Sequence, residues 1–308
     1  MTSRPRYTAD QVRARLVREI KAGRVIVAAG AGSGLTAKCA TLGGCDLLIV
    51  YNSGRYRMAG LPSLVGYLPV GDANADVLEM GRRQIFPVAG DTPVIAGVLG
   101  VDPTREIPVL LEEIRAAGFA GVINFPTVGR MDGEFRRALE EVGLGYEREA
   151  AMIAHAHRLE LFTLAYCFTA AEAAAMARSG ADVIIAHLKT TAGGLVGLKQ
   201  TSGLASAFRT VRAIFTAARR AAPAVFCFAH GGPLATPRDT AALYRETGAT
   251  GFVGASSVER LATEAAVIAQ TRAFKAQRLA PRPGRDASTW TIRPRRVDLG
   301  RKPPHGRT

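Results

Sequence analysis

The sequence predicts a single (β/α)8 or TIM barrel, because short apolar, β-rich runs alternate with helical stretches about every 30 residues, the pattern of repeated βα units around a parallel sheet. Two further observations narrow the choice. The runs are almost continuously apolar, as strands buried on both faces must be, whereas sandwich strands would alternate. Several helical stretches also end in a glycine followed by an apolar run (Ala117-Gly118, Ser179-Gly180, Thr247-Gly248), where a left-handed C-cap turns the chain back.

Taken in order, residues 1–23 read as an N-terminal helical extension, 24–277 as the barrel, and 278–308 as a basic Pro/Arg-rich tail expected to be disordered. The eight strands are expected at Arg24–Ala29, Asp46–Tyr51, Pro93–Gly97, Gly121–Asn124, Leu161–Tyr166, Asp182–Ala186, Ala224–Phe228 and Gly251–Val253. They span about 250 residues to the last helix, an ordinary barrel length. Two connections exceed a minimal unit: Asn52–Gly71 after strand 2, and the stretch after strand 4, which holds helical patterns at Gly133–Val142 and Tyr146–Leu159. The second leads into strand 5. The first is then an inserted helix over the top face, where long ordered loops form lids and substrate contacts.

The charge balance bounds the partners. The net charge is +14, but residues 1–24 carry +5 and residues 281–308 carry +6, leaving +3 for the remaining 256 residues. A nearly neutral body argues against nucleic acid as the barrel's partner, except weakly through the basic tail. Cys39, Cys45, Cys167 and Cys227 lack the paired spacing of a zinc or redox motif and read as reduced thiols. No apolar leader and no run of about 18 apolar residues is present, so a cytoplasmic protein without a membrane span is expected.

Chemistry in such a barrel belongs to the loops leaving the C-terminal strand ends. His187 and His230 follow strands 6 and 7 in the same phase (IIAH and CFAH), so both are expected at the mouth as acid, base or oxyanion donor. Gly231 and Gly232 after strand 7, and Gly254, Ser256 and Ser257 after strand 8, suit an anion held by backbone N–H groups at a helix start. Asn52 and Arg55 after strand 2, and Asn124 and Thr127 after strand 4, add amide, guanidinium and hydroxyl donors for a carboxylate or phosphoryl group. Arg57 reads as a solvated loop charge. Glu149, at a helix start that would keep it ionised, is the candidate general base. Lys189 sits in a loop and lacks the apolar seat of an imine-forming lysine. The loop Gly30–Gly34 reads as a tight turn, since it has neither the dinucleotide spacing nor a P-loop lysine. Asp46 and Asp182 open their strands, and His155 and His157 point to different faces of a helix; all four read as structural.

Seven motifs in order, YNSGRYRMAG (Tyr51–Gly60), GDANA (Gly71–Ala75), GFAGVINFPTVG (Gly118–Gly129), AHLKTTAGG (Ala186–Gly194), HGGPLATP (His230–Pro237), GASSVERL (Gly254–Leu261) and TRAFKA (Thr271–Ala276), resemble the phosphoenolpyruvate-hydrolase-like TIM-barrel family. That family also supplies the C-terminal domain of a plant tobamovirus-resistance protein. The resemblance covers about residues 8–277. It implies a barrel related in shape to the phosphoenolpyruvate/pyruvate enzymes and to indole-glycerol-phosphate synthase, and it adds Thr190 and Thr191 to the substrate-binding candidates. No cofactor is expected. The acids that hold magnesium after the middle strands in the phosphoenolpyruvate/pyruvate enzymes are Asn52 and Asn124 here, which argues against a divalent metal such as Mg.

The resulting expectation is a hydrolase or lyase acting, at the C-terminal mouth of the barrel, on a small anionic substrate that is carboxylate or phosphorylated and resembles phosphoenolpyruvate. A ligand-sensing barrel without chemistry stays open beside it, because fold alone does not decide function. A homo-oligomer is expected, with no sequence feature that sets its number.

Overall fold

A computed structural model of the chain describes residues 6–278. Apart from Arg278, the tail expected over 278–308 lies outside the described residues. Eight parallel strands close into a barrel in chain order: β1 (Ile26–Gly30), β2 (Leu47–Val50), β3 (Val94–Val98), β4 (Gly121–Asn124), β5 (Phe162–Cys167), β6 (Val183–His187), β7 (Phe226–His230) and β8 (Gly251–Gly254). The ring is completed by pairing of β1 with β8 from Ile26↔Gly251 to Ala29↔Gly254.

Ahead of β1 lies α1 (Ala9–Lys21). The connections hold α2 (Gly34–Leu42), α3 (Asn52–Met58), α4 (Ala73–Met80), α5 (Ile107–Ala117), α6 (Gly133–Glu141), α7 (Tyr146–Arg158), α8 (Ala170–Arg178), α9 (Leu204–Ala221) and α10 (Pro237–Thr247), and β8 leads to α11 (Arg260–Lys275). The expected extra helix after strand 4 is α6, which buries none of its residues. Contacts divide the chain into two units, residues 1–267 with the whole barrel and residues 268–308, whose described part is helical to Lys275. No helix among the described residues is long and apolar enough to cross a membrane.

Alternation along each strand splits the core into two clusters. One phase faces the helices: Leu48 and Val50 of β2, Val122 of β4, Ala165 and Cys167 of β5, Ile184 and Ala186 of β6. The other fills the barrel: Leu47, Ile49 and Tyr51, Ile123 and Phe125, Leu164 and Tyr166, Val183 and Ile185, Phe226 and Phe228. Both phases are apolar, so hydropathy does not reveal which is which.

The lower end of the barrel is closed by α1, which is more than an extension. Thr8 caps it in a reciprocal box with Gln11, and Val12 and Leu16 join the interior cluster. Arg13 pairs with Asp182, and Ala9 N–H donates to the Glu160 carbonyl at 3.1 Å. Asp46 accepts from Val27 N–H at 2.8 Å, and Asp182 accepts from Thr163 N–H at 2.8 Å. These aspartates serve the bottom of the barrel, as their places at strand starts predict.

Leu16 is fully buried in this plug. Leu16→Ala should lower stability by about 2–5 kcal/mol, the cost of a buried leucine and the cavity it leaves. Urea unfolding measures it, and a loss below about 1 kcal/mol would show that α1 is not part of the barrel core.

Candidate active site

The last inward position of each strand forms the floor of the mouth. Tyr51, Phe125, Tyr166, His187, His230 and Ala255 occupy these positions and line one cavity. Glycine at two further inward positions makes room for a ring: a Cβ on Gly97 would stand 3.2 Å from Tyr51 Cδ1, and one on Gly30 would stand 3.3 Å from Tyr51 Cε2. Tyr51 and Tyr166 share a hydroxyl hydrogen bond of 2.6 Å. Ser53, Arg57, Thr190, Thr191 and Ser256 complete much of the polar wall, and no carboxylate lines it.

β6 and β7 pair His187 directly with His230, and their rings lie 4.8 Å apart. The bonds to the two Nδ1 atoms assign opposite tautomers. His187 Nδ1 accepts from Lys189 N–H at 3.0 Å, so its Nε2 carries the proton. His230 Nδ1 lies 2.7 Å from the Val253 carbonyl and must donate to it, which leaves a lone pair on Nε2. Both rings line the cavity, one as a donor and one as an acceptor. Burial holds His187 well below the ordinary imidazole range, helped by His230 and Arg130, and lowers His230 to about 4. Both are therefore neutral near pH 7.

Lys189 contributes through its backbone. Its φ of +69° lies in the left-handed region, which costs a non-glycine residue about 1 kcal/mol. The loop fixes that conformation where the Lys189 carbonyl accepts from Gly232 N–H at 3.1 Å. The side chain is exposed, in keeping with a loop lysine.

The two arginines after β2 exchange their expected roles. Arg55 is held outside by Asp76 and Glu79, so it is not a ligand of the mouth. Arg57, expected in solvent, is 3% exposed and lines the cavity. Its Nε donates to Glu259 at 2.9 Å and its Nη1 to Ser53 Oγ at 2.9 Å, while the buried Nη2 has no partner. Glu259 is in turn fixed by Thr36 Oγ1 at 2.7 Å and by the Gly32 N–H. That bond gives the glycine loop after β1 its role. Gly32 passes so close to Gly54 that a Cβ would come within 2.2 Å of the Gly54 carbonyl oxygen.

Several other candidates support the mouth without lining it. Glu149 is fully buried and accepts from Asn124 Nδ2 (2.6 Å), Thr127 Oγ1 (2.7 Å) and Val128 N–H (2.7 Å). It is a brace for the β4 loop, away from the cavity, and not the base expected of it. Asn124 also bonds the Tyr166 backbone, with its Oδ1 accepting at 2.7 Å. Asn52 donates to the Gly66 carbonyl at 3.0 Å, tying down the 3-10 turn Ser63–Tyr67 beside the cavity. Asn124 lies in the outward phase of its strand, and Asn52 follows the outward Val50 by two residues.

The glycine loops also differ from the expected anion cradle. Gly231 and Gly232 have positive φ and lie against the β6 loop, where a Cβ on Gly231 would come within 2.0 Å of the Lys189 carbonyl oxygen. The start of α10 is occupied by its own Asp239, which accepts from Thr236 N–H at 2.9 Å. At Gly254 a Cβ would meet Val258 at 2.4 Å. Ser256 lines the cavity and lies 3.2 Å from Ser63 through their hydroxyls. Ser257 Oγ is buried without a partner and does not line the cavity.

Of the sequence candidates, His187, His230, Thr190, Thr191 and Ser256 thus converge on one cavity. Tyr51, Tyr166 and Arg57 were missed. Strand phase could have found the tyrosines, because the alternation that turns His187 inward also turns them inward. Nothing in the sequence separates Arg57 from Arg55, since the division depends on Glu259, 202 residues away.

Residues 11–277 match the model of a family described as phosphoenolpyruvate hydrolase-like. The ToMV resistance protein Tm-1(GCR237) of Solanum lycopersicum is 47% identical over 258 residues, 83% of this chain and 34% of the relative. The chain therefore spans about a third of that relative's length. Among solved structures, phosphoenolpyruvate phosphomutase from Streptomyces platensis subsp. rosaceus has a TM-score of 0.60 at 18% identity, covering 89% of this chain and 92% of that one. Phosphonopyruvate hydrolase in complex with oxalate and Mg++ has a TM-score of 0.53 at 17% identity, covering 86% and 87%. At these identities the likeness is one of fold.

The brace at Glu149 has a pH signature. Burial pushes its carboxyl up to about 7 from an ordinary 4.5, so the folded state holds the proton more tightly than the unfolded state. Its contribution is full below about 4.5 and is lost as pH rises through about 7, by roughly 3 kcal/mol. Glu149→Gln cannot accept from all three donors and should destabilise by about 1–3 kcal/mol at pH 5. The gap between wild type and variant should narrow by pH 7.5. Urea unfolding at both pH values checks this, and a gap that widens with pH would contradict it.

Proposed function

Because the chain belongs to the phosphoenolpyruvate hydrolase-like family, we propose that it is a hydrolase or lyase that cleaves a small carboxylate-bearing substrate at the barrel mouth. The observation that carries this reading is the pair of neutral histidines, one presenting an N–H and the other a lone pair, beside a buried guanidinium in one cavity. The names of the neighbouring folds agree with small carboxylate chemistry: phosphoenolpyruvate phosphomutase, and phosphonopyruvate hydrolase with oxalate bound.

Each group has a distinct task. Arg57 receives an anionic oxygen of the substrate, fixing its direction in the cavity. His230 Nε2 takes a proton from water, whose oxygen bonds to the fragment being cleaved off, or from a substrate hydroxyl, whose oxygen becomes the carbonyl of the departing fragment. As the scissile bond to the carbon beside the carbonyl breaks, its electron pair passes into an enolate, whose oxygen accepts from His187 Nε2–H. The His230 imidazolium then returns its proton to the enolate carbon. A neutral imidazole suits the His187 task, because it donates to the developing oxyanion without giving up its proton. An anionic substrate beside His230 favours the imidazolium and so raises its basicity above that of the free protein.

A base that must be unprotonated and titrates at about 4 in the free protein leaves kcat/KM level until the pH falls toward that value. The acid limb of kcat should lie higher, since the bound anion raises the imidazole. His230→Gln should lower kcat by about 10²- to 10⁴-fold with the fold intact, on a substrate found by screening small 2-oxo acids and their phosphonates. Undiminished turnover in His230→Gln would sink this reading. Binding of such acids without any turnover by wild type would favour a ligand-sensing barrel.

A further inference from the structure

The neighbour phosphonopyruvate hydrolase was solved with oxalate and Mg++, yet the mouth of this barrel has the wrong donors for that ion. Magnesium takes oxygen ligands in octahedral geometry and is held by carboxylates. The wall of the cavity contains none, and its two imidazoles are nitrogen ligands. Among the described residues no group of three or more His, Cys, Asp or Glu could hold a metal ion. Glu259, a buried carboxylate near the mouth, has its oxygens taken by Arg57, Thr36 and Gly32.

We propose that Arg57 does the work a divalent ion would do, so that a small carboxylate of the oxalate type binds this mouth through Nη2 without any metal. The proposal rests on the reading of the mouth as a carboxylate site and adds the source of its positive charge.

Three features support it. The guanidinium is held at two of its three nitrogens, through Nε to Glu259 and through Nη1 to Ser53, which fixes its orientation. Arg57 lines the cavity and its Nη2 is buried without a protein partner, and a charged donor buried and left unpaired is costly. A carboxylate oxygen at that point removes this cost and gains a charge-assisted bond. Finally, the guanidinium is part of the chain, so its charge needs no loading and cannot be stripped by a chelator.

The surroundings complete a carboxylate site. His187 Nε2–H and the hydroxyls of Ser53, Thr190 and Thr191 face the same cavity and offer donors to the remaining oxygens. The charge of Arg57 is felt there, since it is among the causes that disfavour protonation of His230. Glu259 keeps the buried pair neutral overall, so the guanidinium is tolerated in the core before any ligand arrives.

The test is calorimetric titration of the whole protein with oxalate, in EDTA and in excess magnesium chloride. We expect binding in EDTA, and an affinity that magnesium changes by less than about twofold once it is reckoned on the oxalate that the ion leaves uncomplexed. Arg57→Met/Glu259→Gln removes both charges together, avoiding a lone buried carboxylate, and should weaken oxalate by about 10- to 100-fold. Arg57→Lys is the second variant: it keeps the charge beside Glu259 but loses the planar fork, and should also weaken oxalate while the melting temperature stays close to wild type. Binding that requires magnesium would overturn the proposal and leave the carboxylate reading standing. No binding in either solution would overturn both. Wild-type affinity in a folded Arg57→Met/Glu259→Gln protein would overturn the role of Arg57.

Discussion

Closure of the parallel sheet is the constraint on which the rest depends. It gives every strand two buried faces, and only the last inward side chain of each strand can meet the solvent mouth. Six of those positions, Tyr51, Phe125, Tyr166, His187, His230 and Ala255, line the cavity. The same geometry assigns the outward neighbours to support. Asn124 lies in the outward phase of its strand, so it braces β5 and Glu149 instead of lining the cavity. The polar residues at a strand end therefore separate into two trades by parity.

That parity explains what the sequence could and could not tell. The barrel was legible because eight apolar runs separated by helices have few other ways to bury themselves, and the strands lie within two residues of where hydropathy puts them. His187 and His230 were legible as a pair because polar residues stand out at the ends of apolar runs. The tyrosines were not, since Tyr51 at the end of DLLIVY and Tyr166 at the end of LFTLAY pass for ordinary core. Glu149 misled for a physical reason. A glutamate in the first turn of a helix has the right field to be ionised, but its reach was used to collect three donors of the β4 loop.

Long-range pairing decided the arginines. Arg55 and Arg57 are two residues apart on α3 and so leave it in different directions. One meets Asp76 and Glu79 in a surface cluster worth little to stability. The other meets Glu259, beyond β8, in a pair with side chains only 2% and 0% exposed. Such a pair gains little net energy over an apolar replacement, because desolvation offsets most of its attraction. Its value is positional: Glu259 also ties Thr36 and the Gly32 backbone, so one carboxylate aligns the start of α2, the glycine loop after β1 and the guanidinium.

The histidines and Arg57 are coupled through the same burial. Low dielectric drives both imidazoles neutral, and the nearby positive charges push in the same direction. Neutrality is what lets two adjacent rings hold different tautomers, since protonated rings would both be donors and would repel. The tautomers are then set by backbone alone: the Lys189 N–H fixes one and the Val253 carbonyl fixes the other. An anion bound at Arg57 as proposed would shift this balance, because its charge would oppose the guanidinium and favour a proton on His230. In the reaction proposed above, substrate charge would thereby prepare His230 as the base that acts on it, whereas an uncharged analogue of the same shape would not.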